Sequence, residues 1–160
     1  MEDKNPKEKN ARDTASISGF DYLTGIKDGT IKPPPAAQLV GYRISRIEKG
    51  CAVFELDPRE CHYNPFGTVH GGITTTLLDS AMTSCVLTTL PKGTTCSTVE
   101  LKTNFIRPIN ARTGTLECEA TPIHIGKKLA IAQATVKDKN GTLYAHGTST
   151  LLIIKTGGEK

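Results

Sequence analysis

Between Glu60 and Lys92 the chain carries one formally charged side chain, Asp79, set in a run of apolar and hydroxyl residues. An ionised carboxylate taken out of water costs several kcal/mol, or gives up its charge, unless it is paired or used. Two readings of Asp79 stand. Either it caps a neighbouring backbone or meets an Arg or Lys from another element, or it works as a general base or nucleophile. Just upstream, Asn64-Pro65-Phe66-Gly67-Thr68-Val69-His70-Gly71-Gly72 brings together an amide side chain, a turn, an imidazole and two glycines where a helix should begin. The first turn of a helix offers unpaired N–H groups and the positive end of the helix dipole, which suits an oxyanion developing on a carbonyl. Gly71 and Gly72 would leave those N–H groups open to a ligand, and Asn64 could add a second donor; close packing of helix on sheet would equally account for the glycines. Asp79 lies eight residues beyond Gly71, about 12 Å along the same helix. A short carboxylate cannot reach back that far. If the donors and Asp79 act on one carbonyl they come from two copies of the chain, and the site is expected across a homodimer interface.

The element that must hold these residues is a helix over 71–90, stopped by Pro91 and Gly93. It lacks the charged face of an amphipathic surface helix and so should be buried nearly all round. The depth of any pocket beside it would depend on which of Leu77, Leu78, Ala81, Met82 and Cys85 face the interface. Around it the chain reads as strands. Period-two alternation begins at Leu39 and, through Glu48-Lys49-Gly50, leads into a second strand over 51–56. Further strands fit 95–106, 114–123, 129–136 and 142–154, the last two joined at Asp138-Lys139-Asn140-Gly141, whose Asn-Gly pair is a strong hairpin signal. A weakly amphipathic piece over 16–28 supplies a short N-terminal helix, and Pro33-Pro34-Pro35 an extended connector. One long central helix wrapped by a curved antiparallel sheet of about six strands is an α+β, hotdog-like layout.

A chain of 160 residues, 37% hydrophobic and 22% charged, fits one globular domain. The expected division is a charged leader over 1–13, whose four cations and four anions sum to zero, and a single domain over 14–160. No apolar run is long enough for a membrane span, and the polar opening does not read as a secretory signal. Five cysteines without Cys-x-x-Cys spacing point to reduced thiols in the cytoplasm, and no metal-ligand set is visible. The net charge of +4 lacks the basic runs of a nucleic-acid footprint but would suit a small polyanion.

Asn64, Gly67, His70-Gly71-Gly72, Leu78-Asp79 and Ala81, followed by Ser97 and Phe105-Ile106-Arg107-Pro108, stand at the spacing of a known family. Over about 20–154 the chain resembles the hotdog-fold acyl-CoA thioesterases of the phenylacetate-pathway (PaaI-like) branch. The resemblance implies hydrolysis of an acyl-CoA to the free acid and CoA, without a cofactor. It implies that Asp79 activates the water or attacks the thioester, that Ser97 helps hold the water, and that Asn64 and the Gly71 N–H of a partner subunit polarise the carbonyl above a loop ordered by His70. Two dimers would join as a tetramer. The phosphates of CoA give the basic excess a use, with Gly72, Arg107, Lys127 and Lys128 as candidate substrate contacts. Two other readings are a hotdog hydratase or dehydratase, which would need His70 as much as Asp79, and a non-catalytic acyl-CoA sensor, which would not need Asp79. The acyl group is left open.

Overall fold

The computed structural model describes residues 17–156, so the expected leader over 1–13 lies outside the described residues. The chain forms α1 (Gly19–Lys27), α2 (Pro35–Val40), β1 (Tyr42–Glu48), β2 (Cys51–Leu56), α3 (Gly71–Leu87), β3 (Thr94–Phe105), β4 (Leu116–Ile125), β5 (Leu129–Asp138) and β6 (Leu143–Lys155). The strands make one antiparallel sheet in the order β1-β2-β4-β5-β6-β3. β1 and β3 are its edges.

α3 packs against all six strands. Six strands spaced about 4.8 Å apart span more than the 10–12 Å width of a helix, so the sheet must curve to keep every strand in contact. β-Bulges at Ile44/Arg46, Thr98/Glu100 and Pro122/His124 supply bends of the required kind. Leu56, Leu77, Leu78, Met82, Leu116 and Leu151 fill the space between helix and sheet and are buried. Gly147 in β6 lies beneath α3 and beside β3. A Cβ there would stand 2.8 Å from the Lys102 carbonyl and against the tips of Leu78 and Met82.

The expected elements are present, with three differences of physical interest. α2 takes the place of an extended connector. Pro35 sits at its first position, where a missing N–H costs nothing, and Gly41, at φ 83°, ends it. β1 accordingly begins at Tyr42 rather than Leu39. α3 stops at Leu87, before Pro91, because the Thr88 and Thr89 hydroxyls donate to the Cys85 and Val86 carbonyls, each at 2.7 Å, and the backbone tightens through Thr89 and Leu90. Nor is α3 buried all round within one chain: Gly72 is exposed, and Thr76, Asp79, Thr83 and Leu87, on the same stripe, are half-buried.

Candidate active site

The segment leading into α3 is a tight hairpin. Tyr63 and Val69 form a bridge, and the Asn64 side chain organises the turn between them. Its Oδ1 accepts from the N–H groups of Phe66 (2.9 Å) and Thr68 (3.3 Å), and its Nδ2 donates to the Thr68 hydroxyl (2.9 Å). Gly67 takes the left-handed position at φ 78°. One of the two Nδ2 hydrogens of Asn64 is left over.

His70 is the N-cap of α3. Its Nδ1 accepts from the Gly72 N–H at 2.9 Å, while its own N–H donates to the carbonyl of the buried His62. The Ile73 and Thr74 N–H groups turn back to the His70 carbonyl. Of the four amides of the first turn, Gly71 alone has no acceptor among the described residues. The Phe105 ring lies over it, close enough that a Cβ on Gly71 would meet Cζ at 3.0 Å.

Asp79 occupies the middle of α3, half-buried, with no cation within ion-pair reach among the described residues. Its partner is a hydroxyl: Thr98 Oγ1 donates to Asp79 Oδ1 at 2.7 Å, and Thr83 Oγ1 stands 3.3 Å from Thr98 Oγ1. With the Thr98 hydrogen committed to the carboxylate, Thr83 donates to Thr98. The chain Thr83, Thr98, Asp79 fixes one carboxylate oxygen and leaves Oδ2 without a partner among the described residues. The neighbouring Cys96 thiol is pushed up to about 11, first by burial and then by the Asp79 charge, so it stays protonated at neutral pH.

Ser97, the serine expected beside Asp79, is exposed. Successive strand residues point to opposite faces, and in β3 it is Cys96 and Thr98 that face α3. Within one chain Thr98 therefore holds the place expected of Ser97. The resemblance named Ser97; the hydroxyl on Asp79 in one chain is that of Thr98, one residue on.

The candidate phosphate contacts fall apart within one chain. Arg107, exposed beyond the end of β3, donates to the Leu143 carbonyl at 2.6 Å. Lys127 and Lys128 are exposed in the β4–β5 turn. Register places that turn beside the start of β3, since Leu129 faces Leu152 and Leu152 faces Ser97. The two ends are separated by most of the strand length, roughly 24 Å for seven residues.

A cavity of about 450 Å³ opens beside Asp79. One wall is α3, through Asp79, Ser80, Thr83, Ser84 and Leu87; the facing wall is α1 and the Pro33–Pro34 segment, with Tyr42, Ile44 and Phe54 between them. Leu77, Leu78, Ala81, Met82 and Cys85 face the sheet, are fully buried and do not line it. The expected short N-terminal helix, with the proline segment read from sequence as a connector, is half of this chamber. Among the described residues no cluster of His, Cys, Asp and Glu could hold a metal ion, and no helix is long and apolar enough to cross a membrane.

Comparison with known proteins bears on the family and the fold. The pattern of the thioesterase superfamily matches residues 66–145, from the turn before α3 into β6. The chain is 26% identical over 118 residues to the 1,4-dihydroxy-2-naphthoyl-CoA hydrolase of Listeria monocytogenes, spanning 74% of this chain and 94% of that protein. It is 33% identical over 100 residues to mouse acyl-coenzyme A thioesterase 13, spanning 61% of this chain and 69% of the mouse protein. Among solved structures, the PaaI protein of the Escherichia coli phenylacetic acid degradation operon superposes with a TM-score of 0.73 at 20% identity, covering 88% of this chain and 98% of that one.

Proposed function

The chain belongs to the thioesterase superfamily, and from that premise we propose that it hydrolyses acyl-CoA thioesters to the free carboxylic acid and CoA. The observation that carries this reading is Asp79, held by Thr98 at one oxygen with the other free, on the wall of a chamber large enough for an acyl group. Oδ2 takes a proton from water as the water oxygen bonds to the thioester carbon, or itself forms that bond, leaving an anhydride for water to open. In either route the carbonyl oxygen becomes an oxyanion and the C–S bond breaks as it collapses; in the first the proton held by Asp79 passes to the departing CoA thiolate, and in the second the thiolate is protonated from solvent and the water that opens the anhydride returns a proton to solvent as it frees the acid and the Asp79 carboxylate. A thiolate leaves readily, so one carboxylate and one set of oxyanion donors suffice.

Those donors are the free Gly71 N–H and the spare Nδ2 hydrogen of Asn64, supplied by a second copy, because Gly71 and Asp79 of one helix stand about 12 Å apart. His70 serves as the cap that leaves Gly71 as the open amide, and Gly72 is bound to that cap. The half-buried stripe of α3 and the uncovered edge of β3, where Val99, Phe105 and Ile106 are exposed, support a homodimer through this side. Antiparallel pairing of two β3 edges would bring Arg107 of one copy toward the Lys127–Lys128 turn of the other, a cationic rim for the CoA phosphates. A dimer of dimers finds support on the outer sheet face, where Leu129, Ile131, Leu152 and Ile154 are exposed together. All five cysteines are free, which fits the reducing cytoplasm. The His70 Nδ1 is committed to the cap, and this disfavours a hydratase that exchanges protons through that ring.

The test is thiol release from phenylacetyl-, benzoyl-, hexanoyl- and lauroyl-CoA by the wild type and by Asp79→Asn. Turnover of at least one thioester, reduced about a hundredfold or more in a folded Asp79→Asn protein, supports the reading. Binding without turnover in the wild type, or undiminished turnover in the variant, overturns it.

A further inference from the structure

The hairpin that carries Asn64 follows directly on a histidine that the proposed reaction does not use. His62 is 3% exposed, and both of its ring nitrogens are bonded. Nδ1 accepts from the Arg59 N–H at 3.2 Å, so the ring hydrogen sits on Nε2, which donates to the Val40 carbonyl at 2.9 Å. The backbone carbonyl of His62 accepts from the His70 N–H at 2.8 Å. One residue thus bonds through its ring to Val40, the last residue of α2, and through its main chain to the N-cap of α3. With both nitrogens spent in a buried setting, the imidazole has no part in proton transfer.

Those two ends belong to the two halves of the site. Ala37 of α2 and Pro33 and Pro34 before it line the chamber, and so does Tyr42, two residues beyond Val40. Asn64 follows His62 by two residues, and His70 is the cap that leaves the Gly71 amide open. α2 is six residues long, and the bonds of Gln38 to Pro33 and Pro34 and of Gly41 to Ala37 are local, so they fix its shape and not its place. The Val40 carbonyl is one of the helix-end acceptors that helical hydrogen bonding cannot satisfy. His62 satisfies it from 22 residues away, with a longer contact of 3.4 Å from Arg59 Nη2 beside it. An aliphatic side chain could fill the same space but would leave α2 unfastened on this side.

We infer that His62 is a positioning residue: through its Nε2–Val40 bond it fastens the oxyanion-donor loop to α2, and so fixes where Asn64 and Gly71 present their hydrogens. The inference rests on the acyl-CoA hydrolase reading for what those donors act on. It places a control on kcat at a residue that touches no reacting atom, since a displacement of about 1 Å can cost about a hundredfold in rate.

The experiment compares His62→Asn with His62→Gln. The glutamine amide nitrogen reaches about as far as Nε2 and can still donate to Val40, whereas the asparagine side chain ends at about the depth of Nδ1, keeping an acceptor for Arg59 and losing Val40. Measured are kcat on phenylacetyl-, benzoyl-, hexanoyl- and lauroyl-CoA, the Kd of the matching non-hydrolysable thioethers, and hydrogen exchange at the His70 amide. In folded His62→Asn, kcat should fall about ten- to a hundredfold with Kd within about threefold of the wild type, and the His70 amide should exchange about tenfold faster. His62→Gln should keep kcat within about threefold. A merely structural role would lower Tm and leave kcat per folded molecule equal in the two variants, and that result, or a loss confined to Kd, overturns the inference. Ala36→Gly/Gln38→Gly loosens α2 from its other end, at two exposed positions outside the core. It should lower kcat by at least about threefold, and if His62→Asn does not fold, a kcat within about twofold of the wild type here overturns the inference. Faster His70 exchange in His62→Asn with no thiol release by any form would sustain the link while the hydrolase reading fails. Thiol release at equal kcat in the two variants would do the reverse.

Discussion

Replacing Gly71 by proline deletes one hydrogen-bond donor and little else. Gly71 is the first residue of α3, where proline is accepted because the N–H has no partner within the helix and the required φ is already that of the ring. His70 before it has ψ 135°, the extended conformation that a following proline demands. The new ring carbon would meet Phe105 at 3.0 Å, but that side chain is 57% exposed and free to turn aside. Loss of one oxyanion donor should lower kcat by roughly 10²- to 10³-fold, about 2.7–4 kcal/mol, with the protein still folded. The decisive assay mixes Gly71→Pro with Asp79→Asn, each nearly inactive alone, under conditions that let subunits exchange. If each site takes its carboxylate from one copy and its donors from the other, a mixed dimer has one site with both lesions and one with neither. Random exchange makes half of the dimers mixed, so thiol release should recover to about a quarter of the wild-type rate. A mixture that stays at the mean of its parents, with exchange demonstrated by native mass spectrometry, would refute the two-copy site.

Thr98→Val removes the hydrogen bond that orients Asp79; a bond to a charged acceptor contributes about 1.5–3 kcal/mol, so kcat should fall roughly ten- to a hundredfold. Thr98→Ser should restore most of it, whereas Ser97→Ala should change kcat by less than about threefold, and steady-state kinetics on one thioester settles both. His62 is buried, its Nδ1 accepts from the Arg59 N–H and its Nε2 donates to the Val40 carbonyl, and burial holds its pKa below the ordinary 6.5. The folded imidazole therefore stays neutral. Its contribution is full above about pH 6.5, where the unfolded imidazole is neutral too, and is lost as pH falls through the lowered folded value. The Tm of the wild type should drop more than that of His62→Gln between neutral pH and about pH 5, and parallel melting curves would refute this. Gly147→Ala should destabilise the fold by about 1–3 kcal/mol, read from denaturant midpoints, because its Cβ would stand 2.8 Å from the Lys102 carbonyl with Leu78 and Met82 behind it.

Much of the fold was legible because local chemistry and tertiary structure agree. Asn140-Gly141 sits in the β5–β6 turn, with Gly141 at φ 82° and the Asp138 side chain accepting from the Asn140 and Thr142 N–H groups. Asp79 stood out because nothing else near it is charged, and the structure puts it on a cavity wall with a hydroxyl partner. The misreadings share a cause. In α3 the absence of charge that singled out Asp79 also erased the periodicity that would have told Leu77, Leu78, Ala81, Met82 and Cys85, which face the sheet, from Ser80, Thr83 and Ser84, which face the chamber. Ser97 is named by the resemblance and not by alternation, and β3, where every residue is at least partly exposed, carries no burial pattern that speaks to its role. Pro35 was read as a barrier to helix when it opens one, since six residues carry too little pattern to set against three prolines.

The hydroxyl-rich composition of α3 follows from what the helix is asked to do. Its sheet-facing side is closed by aliphatic packing, and its other side must border both a chamber and, on the proposed reading, a second copy of itself. Charged side chains would cover that side in water but would cost heavily once a partner or an acyl group displaced the water. Leucines would cover it when paired but would leave an apolar stripe on the free subunit and no means of orienting a carboxylate. Thr76, Thr88 and Thr89 meet both conditions by donating to the helix's own carbonyls, as in Thr76 to Gly72 at 2.9 Å, and Thr83 by bonding to Thr98 of β3, so that side can pass from water to interface with these bonds intact.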